Sequence, residues 1–296
     1  MMVPSAIVLA SIVVAHWSTA AQPVIVSPPA DASSPSPTAR PSSSTPDMSL
    51  LARPLPPRAL ALGVRRVVLD AGHGGTNLGT SSATGLLEKE VTLDLAKRAR
   101  RLLLDRGFEV VMTRTDDQNV SLKQRATGAN QQRGDIFVSI HLNSFAPETA
   151  RGVETFYLGP SEHPDHDAIA AAENQNSGYS LADLRTLLDG IYVDARRDES
   201  KRLARSVQDA VMRRLRQTDP TLDDRGIKTA PFVVLVATDM PSILAKVSCL
   251  SNPDDAERLG AAMHRQAIAE ALVNGIQAFS KQQTHSAGKR KDTNER

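Results

Sequence analysis

The chain has 296 residues, with 35 Lys+Arg against 33 Asp+Glu and a formal net charge of +2. A balance so close to neutral argues against a nucleic-acid binder, which carries a basic excess. A single cysteine, Cys249, excludes an internal disulfide, a cysteine-based zinc finger and an iron–sulfur cluster. Hydrophobic residues make up 41%, enough for one good-sized core diluted by Ser/Pro-rich stretches.

The chain opens with the apolar stretch Ala6–Ala15, AIVLASIVVA, which suits the core of a signal peptide better than a spanning helix. The segment MMVPS before it carries no Lys or Arg, and the small residues Ser18, Ala20 and Ala21 follow it. The reading is a signal peptide over 1–21 and an exported protein, periplasmic or extracellular and wall-associated; left uncleaved, the same stretch would be an anchor. No other run approaches the roughly 18–20 apolar residues of a membrane span, so the mature protein is expected to have none. Residues 22–63 are dominated by Pro and Ser, which remove or compete for backbone hydrogen bonds. They read as a disordered linker. The remainder divides into one domain over 64–280 and a disordered charged tail over 281–296, with no internal repeat.

Within the domain, Val67–Leu69 predicts a buried strand running into a glycine loop. Glu88–Arg106 predicts a helix, with Val91, Leu95, Ala99, Leu102 and Leu103 on one face and Gly107 as its stop. FEVVMTR is a second strand, SLKQRATGANQQRG a second helix, and DIFVSIHLN a third, buried strand. GVETFYLG alternates like an edge strand or hairpin arm. The region 160–199 is the least regular, with helices expected near Ala168–Asn174 and Leu181–Ile191. ESKRLARSVQDAVMRRLRQ follows as an amphipathic helix, FVVLVA and SILAKVSCL as two strands, and AAMHRQAIAEALVNGIQAF as a closing helix. Strands alternating with long helices predict an α/β fold: a mostly parallel twisted sheet flanked by helices.

In such sheets functional groups gather at the carboxyl ends of strands. His73 follows the first strand, His141 ends the third, and Glu88 opens the first helix. Two imidazoles and one carboxylate with a fourth position left open is the pattern of catalytic zinc. Taken singly, Glu88 also reads as a solvated glutamate favoured by the helix dipole.

The segments VVLDAGHGG, EKEVTLDLAKRARRLLLDRGFEVVMTR, DIFVSIHLNS and GVETFYL resemble the zinc-dependent N-acetylmuramoyl-L-alanine amidases that process peptidoglycan. ESKRLARSVQ, RGIKTAPFVVL and MPSILAKVSCLSNPDDAERL continue the resemblance in the same order, over Val64–Phe279. It implies Zn2+ held by His73, Glu88 and His141, and hydrolysis of the amide between N-acetylmuramic acid and L-alanine. The implied partner is the peptidoglycan glycan-peptide. The chain reads as a monomer, and the need for a protein activator stays open. Asp70 and Asn143 beside the ligands either orient an imidazole or its loop, or merely cap the loop and end the strand. Arg114 and Arg125 match arginines of the family pattern, paired inside the domain or facing substrate. Glu173 lies where some relatives carry a helix that blocks the metal, and the weight of the reading is against its reaching it. His163 and His166 read as a solvated loop pair, and Cys249 as a small core residue.

One position departs from the family. PSILAKVSCLSN puts Lys246 where the resemblance implies a general-base glutamate, with Pro241, Ser242 and Leu244 before it and Ser251 and Asn252 after it in register. A carboxylate can accept a proton; an ammonium must first lose one, which burial and zinc would favour. Neither Asp239 nor Glu257 is an evident replacement. Three readings follow: an active amidase, a catalytically impaired zinc-binding pseudo-amidase serving as a wall-binding or regulatory module, and a related zinc hydrolase acting on another amide.

Overall fold

The β-branched run Arg66–Ala71 forms β1, which pairs in parallel with β2, Glu109–Met112, on one side and with β3, Ile136–Asn143, on the other. Two further strands, β4, Val153–Leu158, and β5, Asp224–Ala230, precede β6, Ser242–Cys249. The sheet runs β2-β1-β3-β6-β4-β5, with β3 parallel to β6, β4 antiparallel to β6 and β5 parallel to β4. This is the expected mostly parallel α/β architecture. In this computed structural model the described residues are 63–175, 177 and 195–294. The signal peptide read over 1–21, the linker up to residue 62 and the helix expected near 181–191 lie outside them.

The helices are α1, Glu88–Asp105; α2, Leu122–Gln131; α3, Pro164–Glu173; α4, Ala195–Leu215; the single turn α5, Val233–Val236; α6, Pro253–Gly260; and α7, Ala262–Asn294. Alternate strand residues point to opposite faces. One face carries Val67, Leu69, Val138, Ile140, Ala245 and Val247 into the larger core, with α1, α4 and α7 packed over it. The other carries Val68, Phe137, Phe156 and Leu244 into a smaller core with Phe232 and Val234. Towards the carboxyl ends of β1 and β3 this second face turns polar, through Asp70, Ser139 and His141.

Three expectations are corrected. GVETFYLG is no edge strand: β4 is buried along its whole length between β6 and β5, because its polar residues find partners inside the domain. The strand expected at FVVLVA is the helical turn α5. The strand lies just before it, in β5, and ends at Ala230 because Pro231 has no N–H to continue a ladder. The tail expected to be disordered from Lys281 continues α7 to Asn294, a Lys/Gln/Arg-rich segment without proline.

Candidate metal centre

The loop after β1 has a conformation that few residues tolerate. His73 has φ 60°, and Gly74, Gly75 and Gly79 have φ 128°, 59° and 68°. A Cβ at Gly79 would lie 2.6 Å from both Glu88 Oε2 and His73 Cδ2, and one at Gly72 would lie 2.5 Å from the His141 ring. The glycines therefore let the backbone close onto three candidate ligands, His73, Glu88 and His141.

Two buried arginines hold that loop. Arg114 donates to the carbonyls of Ala71, Gly72 and Lys89. Arg125 pairs with Asp70 at 2.7 Å and donates to the carbonyls of Ala71 and His73. Asp70 also accepts from Thr113 and Ser139. Burial opposes its charge, but Arg125 and the two hydroxyls hold its pKa below the ordinary carboxylate value. Both arginines thus work inside the domain. Asp70 positions the loop through Arg125, while Asn143 donates to the Gly152 carbonyl and ends its strand.

A β-bulge supplies the next part. The β3–β6 register shifts between His141 and Asn143, which frees the backbone groups of Leu142 from the ladder. The Leu142 N–H donates to Glu88 Oε1 at 2.8 Å, and its carbonyl accepts from Lys246 Nζ at 3.1 Å. Glu88 Oε2 accepts from the Thr80 N–H at 2.9 Å. Glu88 is therefore buried and held by two backbone donors, not solvated. Despite burial, the His141 and His73 imidazoles and Lys246 keep its pKa well below the usual carboxylate range.

The three residues expected to bind metal meet here. His73 Nε2 lies 3.1 Å from Glu88 Oε2, and His141 Nδ1 lies 3.2 Å from Glu88 Oε1. Glu173, at the end of α3, joins them: its Oε2 is 3.4 Å from His141 Nδ1 and 3.7 Å from His73 Nε2. All four ligand atoms lie within 4.8 Å of one another. Zinc bonds of about 2.0–2.2 Å place tetrahedral ligand atoms roughly 3.3–3.6 Å apart, close to these separations. His73 Nε2 and His141 Nδ1 are buried without a hydrogen-bond partner, as ligand lone pairs would be. The other nitrogen of His73, Nδ1, lies 2.9 Å from Asn77 Oδ1, a contact that leaves Nε2 free for a metal. The donor set fits a divalent metal such as zinc. Glu173 is the residue that sequence reasoning undervalued. Its segment, AAENQN, carries no apolar pattern pointing at the site, and only its coincidence with a blocking helix in relatives hinted at it.

Lys246 lies opposite His141 in the β3–β6 register and opposite Glu154 in the β6–β4 register, so the three share one face. Its Nζ is 2.7 Å from Glu173 Oε1. Burial would favour neutral Lys246, but Glu173, Glu88 and Glu154 outweigh it and raise the pKa. Of the other sequence candidates, His163 caps α3, accepting from the Asp165 N–H, and His166 packs edge-on against Phe156; neither reaches the cluster. Cys249 is buried in β6, and Glu257 is exposed on α6.

Comparison with known proteins gives the family. Residues 67–278 match the N-acetylmuramoyl-L-alanine amidase family. The chain belongs to that family. It is 30% identical over 233 residues to N-acetylmuramoyl-L-alanine amidase AmiA of Escherichia coli K12, covering 76% of this chain and 80% of that one. It is 31% identical to AmiC of Neisseria meningitidis, where the match spans 72% of this chain and about half, 52%, of the relative. Among solved structures, the N-acetylmuramoyl-L-alanine amidase of Clostridium difficile 630 superposes with a TM-score of 0.56 at 30% identity, over 74% of this chain and 97% of that one. AmiC2 of Nostoc punctiforme gives a TM-score of 0.57 at 28% identity, over 73% and 97%.

Proposed function

We propose that the chain is a zinc-dependent amidase that hydrolyses the amide between N-acetylmuramic acid and L-alanine in peptidoglycan, acting outside the cytoplasm. The observation that carries the reading is the meeting of His73, Glu88 and His141, with two unpartnered imidazole nitrogens facing a carboxylate, in a chain of the amidase family. The apolar stretch Ala6–Ala15 supports export, and the wall supplies the substrate. Among the described residues no helix is long and apolar enough to cross a membrane.

Zinc, when bound, supplies a Lewis acid that polarises the amide carbonyl and lowers the pKa of water. The chain's own residues do the rest. Asn77 and the two Glu88-directed backbone donors orient the ligands, and Arg114 and Arg125 stiffen the loop that carries His73. A cavity of about 590 Å³ beside the cluster is lined in part by Thr76, Asn119, Ser121 and Gln124, hydrogen-bonding groups suited to sugar hydroxyls and amides, and in part by apolar residues such as Leu78 and Phe232.

Lys246 favours a second reading. Its ammonium donates hydrogen bonds but accepts no proton, so the reaction lacks the carboxylate of the family position. A positioned acid–base group is worth about 10²–10⁴ in rate, and a loss of that order would leave an impaired domain serving as a wall-binding or regulatory module. Metal dependence tests the primary reading. The full chain, stripped with a chelator and reloaded with zinc, is incubated with a muramoyl-peptide, and new L-alanine α-amino groups are counted. Their appearance only after zinc supports the proposal; cleavage at a peptide bond, or cleavage indifferent to stripping, overturns it. No cleavage by wild type together with cleavage by Lys246→Glu selects the second reading.

A further inference from the structure

Two of the helices that cover the larger core leave a groove on their outer side. Where they pack, a Cβ on Gly275 of α7 would lie 2.6 Å from Val207 Cα of α4, so the glycine lets the two backbones meet and makes the helices the walls of one trough. The trough holds about 330 Å³. Its α4 wall carries Lys201, Arg205, Asp209 and Arg213 at four-residue steps, a line about 18 Å long, with Arg202 beside it. Asn274, Ala278 and Gln282, also four apart, form the α7 wall. Four cations thus face one acid. Arg202 pairs with Glu199. Lys201, Arg205 and Arg213 are exposed, and among the described residues no carboxylate lies within ion-pair distance of them. Lys201 and Arg205, one turn apart, repel each other, a cost that a bound anion would relieve.

We propose that the α4–α7 trough binds a linear phosphodiester polymer of polyol units, with Lys201, Arg205 and Arg213 on successive phosphates and the carboxamides of Asn274 and Gln282 on the hydroxyls between them. The lining selects this occupant among polyanions. Among the described residues that form the trough none is aromatic, so the bases of a nucleic acid would find nothing to stack on. None is a large apolar residue either, so the trough offers no wedge for a bilayer and no anchor pocket for an amphipathic partner helix. A concave line of charge with a small floor, Ala210 and Ala278, suits a thin flexible chain. The placement gives the site its use. α4 and α7 cover the larger core, whereas His141 and Asp70 lie on the other face of the sheet. A polymer held in the trough therefore tethers the domain without covering the metal centre.

The test titrates the full chain with poly(glycerol phosphate) at low ionic strength and measures Kd, beside phosphatidylglycerol vesicles and a single-stranded oligothymidylate at equal phosphate concentration. Arg205→Gln/Arg213→Gln removes two charges from the trough. Arg100→Gln/Arg101→Gln removes two exposed charges from α1 and serves as the control. Two charge-assisted contacts are worth at least about tenfold in Kd, so the trough variant is expected to bind the polymer at least that much more weakly than wild type. The control should keep the wild-type Kd, and both variants the wild-type Tm, since all four side chains are exposed. Stripping zinc with a chelator should leave polymer binding unchanged, which separates the trough from the metal centre. No polymer binding by wild type, or equal weakening by the two double variants, overturns the proposal. Tighter binding of the vesicles or the oligonucleotide than of the polymer overturns the choice of occupant, and loss of polymer binding on stripping overturns the choice of site.

Discussion

Asp70→Asn is expected to destabilise the domain without touching a metal ligand. Asp70 is 1% exposed and accepts from Arg125 at 2.7 Å, Thr113 at 2.6 Å and Ser139 at 2.7 Å. Arg125 is 5% exposed, so the substitution strands a guanidinium in the interior. Removing one partner of a buried pair costs about 3–5 kcal/mol. Asparagine keeps the shape and Arg125 keeps its bonds to the carbonyls of Val120, Ala71 and His73, which places the expected loss near the lower end, about 3 kcal/mol. For a domain of this size that lowers Tm by roughly 6–12 °C.

The pH dependence follows from the same contacts. The pKa of Asp70 is lowered on folding, so its contribution is complete above the ordinary value of 3.8 and is lost as pH falls through the folded value. The gap between wild type and Asp70→Asn should therefore be full at neutral pH and narrow in acid. Urea unfolding at several pH values, with Arg125→Met and the double variant, measures the gap and the coupling. A difference under about 1 kcal/mol at neutral pH, or a gap that stays constant into strong acid, would refute the assignment of Asp70 as the counter-charge that holds the loop.

Gly79→Ala should weaken zinc binding more than it lowers Tm, because its Cβ meets Glu88 Oε2 and His73 Cδ2 at 2.6 Å in a backbone with φ 68°. Chelator competition beside a thermal melt decides, and unchanged zinc affinity would count against the closeness of loop and ligand. Acid should release the metal early. Burial opposes protonation of His73, but Glu88 and Glu173 raise its pKa above the ordinary 6.5, so protons compete for Nε2 from that pH downward. A pH titration of bound zinc that stays flat to pH 5 would contradict this. Glu154→Gln should be costly for a separate reason: the carboxylate is fully buried against Lys228 at 2.6 Å and Arg225 at 3.3 Å, and a neutral amide strands Lys228. Urea unfolding showing a loss under about 1 kcal/mol would count against that ion pair as a structural one.

The ligand trio was readable before folding because each member sits at a position that sequence signals mark. His73 and His141 follow β-branched runs, Glu88 begins a helix whose apolar face is plain, and the order of segments matches a family. What escaped depended on contacts between distant segments. β4 alternates like an exposed strand, yet Glu154 pairs through Oε2 with Lys228 and Thr155 donates to Gln208, residues that no local pattern ties to it. The apolar run after Pro231 has strand composition, but it folds as a turn because Asn174, from the end of α3, accepts from the Val233 N–H. Glu173 reaches the metal cluster through the same placement of α3. For Lys246, burial and the zinc charge favour a neutral amine. The acids gathered by β4, α1 and α3 oppose the effect of burial and raise its pKa, and they come from three separate segments.

The most direct measurement compares peptide release from purified peptidoglycan by zinc-loaded wild type, Lys246→Glu and Lys246→Glu/His141→Ala. The substitution to Glu both supplies a proton acceptor and, by like charge, expels Glu173 from the centre. The account predicts release of peptides with free L-alanine amino termini by wild type itself, kept in Lys246→Glu and lost when His141 is also replaced; a silent wild type that gains about 10²–10⁴ in Lys246→Glu selects the impaired reading instead. Release that survives loss of His141, or no amide cleavage by any of the three with zinc bound, would contradict it.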